Sequence, residues 1–404
     1  MIISSVTELI GNTPMLLIPE SVHGVKNLTL YCKLEYRNAF GSIKDRIALN
    51  MLDIETCQRD NMTVLEASSG NTAKALALLS SMHNLKFKTV SNRIKTPEMK
   101  RLLQLFGADI QELPGASECP DPNNPDDYMV VAKKLADNNA NLFYTDQYFN
   151  TKNPEAHAVT GHEICADLDT VDYFFTLLGT AGSGTGIGTV LKRERDSRVI
   201  GVVADSGNYV PGGRTMDEMW EVGFFDKTFY HDIVSGTTQD AITGMLTLIQ
   251  KCGVLCGPTT GLSYRKTLDY FRDPLPKPVT AVFVACDRVE PYLSYIDRYI
   301  TQDTVDLDDV HDVDEIEIAD VTSDMTVIDI RSRKAFDMFH LPNSVNVPED
   351  QLDTFFQHGV PLSKKFYVIV CARGTKSRRV AALLNKHGYE AANLKYGVYA
   401  NGRR

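Results

Sequence analysis

A chain of 404 residues is too long for one ordinary hydrophobic core, and with 43% of its residues apolar it can fill the cores of two or three domains. Its formal net charge of -10 leaves no basic face for nucleic acid, and the acidic excess gathers around Asp303 to Asp324. The N-terminus lacks a basic stretch followed by an apolar one, and no apolar run approaches a membrane span, so a soluble cytoplasmic protein with no nucleic-acid or membrane partner is expected.

In chain order, the first chemically suggestive stretch is Asn38-Ala39-Phe40-Gly41-Ser42-Ile43-Lys44-Asp45-Arg46, which sets Lys44 behind a Gly-Ser turn and at the head of a helix-like run. A lysine near the positive end of a helix and partly desolvated loses proton affinity, and a neutral amine can form a Schiff base with a carbonyl cofactor. The plain alternative is a solvated surface lysine. A strand is expected near Asn61 to Leu65 and a helix over Thr72 to Met82, with the turn Glu66-Ala67-Ser68-Ser69-Gly70-Asn71-Thr72 between them. Its hydroxyls, amide and freed N–H groups suit a carboxylate, although Ser, Asn and Thr also serve as ordinary helix caps.

A second strand, Tyr173 to Leu178, runs into Gly179-Thr180-Ala181-Gly182-Ser183-Gly184-Thr185-Gly186-Ile187-Gly188, and a helix is expected from Gly186 to Arg195. Such a glycine-rich turn lets backbone N–H groups close around a phosphate at a helix N-terminus. No Gly-Lys-Ser/Thr ends it and no acidic ribose reader follows, so a monophosphate fits better than a nucleotide; a tight packing turn is the alternative. Further strands are expected at Val199 to Ala204 and at Val279 to Ala285, the latter after the breaker Pro274-Leu275-Pro276-Lys277-Pro278. Between them, Cys256-Gly257-Pro258-Thr259-Thr260-Gly261 places two hydroxyls between glycines. This alternation is the signature of an α/β fold with mostly parallel sheets.

Thr301 to Asp314 is acidic and lacks helical periodicity, which marks a linker, and the fresh strand Met325 to Ile330 opens a small α/β domain. Within it the apolar run from Tyr367 delivers Cys371 into a short loop at a helix start, where N–H groups and the cations Arg373 and Lys376 favour a thiolate. A buried structural cysteine is the alternative. The eight cysteines form no Cys-x-x-Cys pair and no zinc-ligand set, so reduced thiols and no metal site are expected.

Taken together, Lys44 in its Gly-Ser-x-Lys-Asp setting, the Ser-Ser-Gly-Asn-Thr turn, the Gly-Thr-x-Gly-x-x-Thr-Gly loop and the Gly-x-Thr-x-Gly turn occur in the order and spacing of the cysteine synthase/cystathionine β-synthase family. From about Gly11-Asn12-Thr13-Pro14 to about residue 300 the chain resembles a fold-type II pyridoxal-phosphate enzyme. The resemblance implies pyridoxal 5'-phosphate as cofactor, with Lys44 forming its Schiff base and later moving protons. Gly179, Thr180, Ala181, Gly182 and Ser183 would hold the phosphate, Asn71 the ring hydroxyl, and Thr259 the ring nitrogen. Ser68, Ser69, Gly70, Thr72 and Gln147 would hold the substrate carboxylate, and the loop around Gly236 would border the substrate. A hydroxyl cannot keep the ring nitrogen protonated as a carboxylate would, which favours loss of a β-substituent, through an aminoacrylate, over transamination. The family usually has Pro at Ala67 and Gly at Ala73 and Ala181, and Asp205 to Tyr230 departs from its pattern, leaving the β-leaving group and nucleophile open.

The last ninety or so residues resemble a rhodanese domain through Asp329-Ile330-Arg331, the stretch His340 to Pro348, and the six-residue loop Cys371, Ala372, Arg373, Gly374, Thr375 and Lys376. That loop length belongs to sulfurtransferases rather than to the related phosphatases, which implies a persulfide on Cys371. Lys376 stands where Arg is common, keeping the charge without the planar fork.

The expected organisation is a pyridoxal-phosphate domain over 1–300, with a smaller subdomain near 45–150, an acidic linker over 301–312 and a rhodanese-like domain over 313–404. The expected function is β-replacement on an activated serine, with the Cys371 persulfide supplying sulfur for cysteine or a related thiol amino acid. Three alternatives stand beside it: β-elimination from cysteine or cystine with sulfur passed to Cys371, an amine-nucleophile replacement of diaminopropionate type, and a catalytically silent sulfur-carrier module. The expected partners are an amino-acid substrate, a sulfur donor, a sulfur-acceptor protein and a second copy in a homodimer.

Overall fold

The computed structural model describes residues 2–92, 94, 96–113, 127–206, 208–272, 275–300, 313–348, 351–352, 366–372, 374–386 and 388–398. The chain divides into two compact units, Met1–Asp297 and Arg298–Arg404. The acidic stretch 301–312 lies outside the described residues.

The first unit opens with β1 (Met15–Ile18), α1 (Glu20–His23) and β2 (Leu28–Lys33), followed by α2 (Lys44–Met51) and α3 (Ile54–Arg59). Next come β3 (Thr63–Ala67), α4 (Asn71–Met82), β4 (Lys86–Ser91), α5 (Pro97–Leu105), β5 (Asp109–Glu112), α6 (Tyr128–Asp137) and β6 (Leu142–Tyr144). These four strands form an all-parallel sheet in the order β5-β4-β3-β6. Its core is lined by Val64, Leu76, Leu79 and Phe87.

The larger sheet follows α7 (Lys152–Asp167), with β7 (Tyr173–Leu177), α8 (Gly182–Arg195), β8 (Arg198–Ala204), β9 (Asp232–Gly236), α9 (Thr238–Cys252), α10 (Pro258–Tyr270) and β10 (Val279–Val284). Its order is β1-β2-β10-β7-β8-β9, parallel except where the edge strand β1 runs against β2. Strands β7 and β8 are buried almost end to end, as parallel strands covered on both faces must be. Small residues let the covering helices approach closely. A Cβ on Gly186 of α8 would lie 2.2 Å from the Pro154 carbonyl of α7, and one on Gly261 of α10 would lie 2.0 Å from the Ala241 carbonyl of α9.

The second unit has a five-stranded parallel sheet of β11 (Glu315–Ile316), β12 (Thr326–Asp329), β13 (Val345–Asn346), β14 (Phe366–Val370) and β15 (Glu390–Leu394), ordered β11-β15-β14-β12-β13. The helix Thr375–Lys386 follows β14. The expected α/β class with parallel-rich sheets is borne out. One boundary differs: α8 begins at Gly182 rather than near Gly186. Glycine's low helix propensity argues for a late start, but the close packing on α7 demands small residues inside the first turn.

Candidate active site

In open parallel sheets, ligands gather beyond the carboxyl ends of the strands. In the first unit Ser68 to Thr72 follow β3, Gln147 follows β6 and Gly179 to Ser183 follow β7, Gly236 closes β9, and the turns before Lys44 and Thr259 bond to the segment after β10. Lys44 is the first residue of α2, and Asp45 builds the turn before it by accepting from Phe40 N (2.7 Å) and Ser42 Oγ (3.0 Å). Burial lowers the proton affinity of the Lys44 amine, and Cys286, Asp287 and Glu35 pull it partly back. Two residues on, the nearly buried Arg46 guanidinium meets Glu35 (2.7 Å) and Glu163 (2.7 Å), and Lys33 also reaches Glu163 (2.9 Å). This charge cluster explains the Gly11-Asn12-Thr13-Pro14 stretch. Asn12 N donates to Glu163 Oε1 (2.9 Å), Thr13 Oγ1 to Glu35 Oε1 (2.6 Å), and the Thr13 carbonyl receives Lys33 Nζ (2.6 Å).

The hub of the site was not singled out from the sequence. It is Cys286-Asp287, immediately beyond β10. Ile43 N donates to the Cys286 carbonyl (2.7 Å), Ser42 bridges to Asp287, and Gly257 N donates to the Asp287 carbonyl (3.0 Å). Asn71 Nδ2 donates to Asp287 Oδ2 (2.6 Å), an oxygen that also receives the Tyr292 hydroxyl. Lys44, Asn71 and the Thr259 turn are thus gathered on one short segment. Burial pushes the Asp287 carboxyl up, opposed by Tyr292, Lys74, Asn71 and Lys44. The only sequence signal for Asp287 was its place just past a strand end.

A second chain of bonds starts beside Asn71. Thr72 Oγ1 donates to Gln147 Oε1 (2.7 Å), Gln147 Nε2 to the Ala67 carbonyl (3.1 Å), and Asn153 Nδ2 to both the Gln147 carbonyl (2.7 Å) and Thr180 Oγ1 (3.2 Å). The Ser68-to-Thr72 turn, Gln147 and the phosphate-type loop are therefore one assembly. Gly70 donates to Ser68 Oγ (3.3 Å), and a Cβ added to it would meet nothing within 4 Å, which leaves room for a ligand. Glu66 ties the assembly to β3, accepting from Ala67 N (2.8 Å), Thr145 Oγ1 (2.6 Å) and Gln147 N (3.2 Å), and burial raises its carboxyl to about 7. The Ala67 bond gives a physical reason for the departure there, since proline has no N–H to donate. Ala181, where the family has Gly, sits at φ 59°, the left-handed region that favours Gly. Gly182 and Ser183 begin α8 behind it. Gly236 ends β9, paired with Ala204 across the sheet.

Arg214 was also missed. It lies within the divergent Asp205-to-Tyr230 segment and is 8% exposed, with its guanidinium 5.3 Å from the Tyr148 ring and donating to Tyr128 Oη (3.2 Å). Its backbone N donates to the Leu178 carbonyl (3.0 Å), placing the segment against the phosphate-type loop.

In the second unit β14 ends at Val370 and delivers the next residue, Cys371, which is 4% exposed. Its Sγ accepts from Gly374 N (3.2 Å) and Ser377 N (3.4 Å), and Ser377 Oγ lies 3.2 Å away. Ala372 is half-buried, and Gly374 takes the φ of 89° that the loop's reversal requires. Lys376 is exposed, whereas Arg373 and the Thr375 side chain lie outside the described residues.

The first-unit site fits a pyridoxal cofactor on its own terms. Beside a desolvated lysine it leaves Thr259 Oγ1, Asn71 Oδ1 and Asp287 Oδ1 buried without a hydrogen bond. Comparison with known proteins agrees. A family model described as pyridoxal-phosphate dependent enzyme matches residues 6–287, and the chain belongs to that family. Pyridoxal phosphate is its cofactor. A rhodanese-like domain model matches residues 313–401, so the chain is a cysteine synthase-like enzyme carrying a C-terminal rhodanese-like domain. It is 30% identical over 314 residues to a probable cysteine synthase of Bacillus subtilis, covering 72% of this chain and 97% of the relative. Cysteine synthase B of Pseudomonas aeruginosa is 28% identical over 299 residues, covering 72% and 96%. Among solved structures, a hydrogen sulfide-producing enzyme of Fusobacterium nucleatum aligns with TM-score 0.63 and 29% identity, covering 72% of this chain and 99% of that one. The O-acetylserine dependent cystathionine β-synthase of Helicobacter pylori aligns with TM-score 0.62 and 25% identity, covering 73% and 98%.

Proposed function

We propose that the chain catalyses β-replacement on an activated L-serine and that Cys371 carries the sulfur, as a persulfide, that ends in cysteine or a related thiol amino acid. The observation that carries this reading is the gathering of Lys44, Asn71 and Thr259 on Cys286-Asp287, one residue from the Thr72–Gln147 pair. Pyridoxal phosphate, when bound, supplies the electron sink that lets a Cα–H bond break and a β-substituent leave. The desolvated Lys44 amine takes and returns the Cα proton. Ser68, Ser69, Gly70, Thr72 and Gln147 orient the substrate carboxylate, with Gly236 at the rim. Asn71 and Thr259 hold the ring, and Gly179, Thr180, Ala181, Gly182 and Ser183 hold the phosphate. The activated serine follows the O-acetylserine named for the Helicobacter enzyme.

In the second unit, the Cys371 sulfur attacks the outer sulfur of a donor such as thiosulfate. A new S–S bond forms as the donor's S–S bond breaks, and sulfite leaves with the electron pair. Two equivalents of an external thiol, oxidised to their disulfide, then release hydrosulfide and restore the Cys371 thiol, and the hydrosulfide adds at the serine β-carbon in place of the group that has left. Residues 313–404 would act as this sulfurtransferase domain, joined by the acidic 301–312 linker to the enzyme domain, which would work as a homodimer in the cytoplasm.

The test supplies the purified holoenzyme with O-acetylserine, a thiol and isotopically labelled thiosulfate, and follows label in cysteine. Lys44→Ala should abolish product from every sulfur source. Cys371→Ser should lose thiosulfate-dependent product and keep sulfide-dependent product; equal thiosulfate-dependent rates in Cys371→Ser and wild type would sink the coupling. The Fusobacterium likeness favours a second reading, in which cystine is broken down by β-elimination and the cysteine persulfide it releases passes its outer sulfur to the Cys371 thiolate, its S–S bond breaking as the new one forms and cysteine leaving. Pyruvate and ammonia released from cystine, together with persulfide on Cys371, would support that direction.

A further inference from the structure

Ser377 Oγ has one proton and two neighbours that can take it. Cys371 Sγ lies 3.2 Å away and Asn393 Oδ1 lies 2.6 Å away. The outcome is decided one residue further out. Asn393 Nδ2 donates to Glu315 Oε1 (3.2 Å), and Glu315 is ion-paired to Arg378 (3.0 Å). A carboxylate only accepts, so the nitrogen of the amide must face Glu315 and its oxygen must face Ser377. That oxygen also only accepts, so the Ser377 proton goes to Asn393. What Ser377 then turns toward Cys371 is a lone pair, which suits a neutral S–H and repels a thiolate.

We propose that Asn393, oriented by Glu315, is a positioning residue that draws the Ser377 proton away from Cys371 and so withholds that hydrogen bond from the sulfur at rest. The inference rests on the reading of Cys371 as a sulfur carrier. Loading the sulfur requires the Ser377 hydroxyl to turn from Asn393 to Sγ, exchanging a neutral hydrogen bond for a charge-assisted one. The turn leaves Asn393 Oδ1 without its partner in a position that is only 1% exposed. The backbone N–H groups of Gly374 and Ser377 point at the sulfur whichever way the hydroxyl faces. The competition is therefore set by three side chains from β11, β15 and the helix Thr375–Lys386.

The prediction is that loosening the network speeds the cysteine. In the full-length protein, Glu315→Gln permits the Asn393 amide to turn its NH2 to Ser377, and Asn393→Ala removes the competing acceptor. Either variant should load persulfide from thiosulfate, and react with iodoacetamide at neutral pH, about fivefold faster than wild type. Ser377→Ala should be slower than wild type, and Asn393→Ala/Ser377→Ala should match Ser377→Ala. A loosened fold would expose the thiol to iodoacetamide without needing Ser377 and would not speed persulfide loading. Glu315 lies on a half-exposed edge strand, so Glu315→Gln keeps the test open if Asn393→Ala fails to fold. Loading in Glu315→Gln at or below the wild-type rate overturns the inference and leaves the sulfur-carrier reading intact. A wild type that takes no sulfur from thiosulfate, while the iodoacetamide ranking holds, overturns that reading and leaves the proton arrangement standing.

Discussion

Thr259 is a buried hydroxyl, 4% exposed, whose Oγ1 finds no nitrogen or oxygen partner and has only the weakly bonding Cys286 thiol beside it. Left unsatisfied, such a group lowers stability, and a bound ring would give it a partner. Thr259→Val keeps the shape and removes the hydroxyl. Urea unfolding of the cofactor-free protein should change by no more than about 0.5 kcal/mol, while the pyridoxal phosphate dissociation constant should rise about fivefold in a fluorescence titration. Equal affinity would remove Thr259 from the cofactor. Lys44, Asn71, Thr72 and Thr259 were legible because each belongs to a short motif with its own turn chemistry. Asp287 was not, because what makes it matter is a 2.6 Å bond to Asn71, which lies far earlier in the chain.

At the scale of elements, the decisive contact is the charge cluster that clamps α2 between β2 and α7. Arg46 and Lys33 hold the Glu163 carboxyl down to about 2, against an ordinary value of 4.5. A carboxylate with a depressed folded value contributes stability that is fully present above its unfolded value and is lost as pH falls through the folded one. The contribution is about 3 kcal/mol, and it should fade between roughly pH 5 and pH 2. Glu163→Gln should therefore destabilise the first unit by about 3 kcal/mol at pH 7 in urea titrations, with the deficit shrinking toward pH 3. A deficit that does not change with pH would mean that packing, rather than charge, holds α2. The alternation of strands and helices was readable from period and punctuation. The partnership of Asn12 with Glu163 and of Thr13 with Glu35 was not, since no local pattern pairs residues so far apart.

For the whole molecule, two compact units with separate hydrophobic cores predict two unfolding transitions. Pyridoxal phosphate at a hundredfold excess over its dissociation constant should stabilise the first unit by about 2.7 kcal/mol and leave the second unmoved in calorimetry. A single transition that shifts as one would contradict this independence. The sequence by itself determined the α/β class, the family, the cofactor and the presence of a rhodanese-like domain. Those conclusions rest on local chemistry: lysine at a helix head, glycines behind a strand, cysteine before a helix. Only the tertiary structure decided that Cys286-Asp287 gathers the site, that Arg214 brings the divergent segment against the phosphate-type loop, and that Asn393 and Glu315 orient the Ser377 proton. Hydrogen-bond direction depends on which groups face each other across the fold, and a linear order of residues does not contain that information.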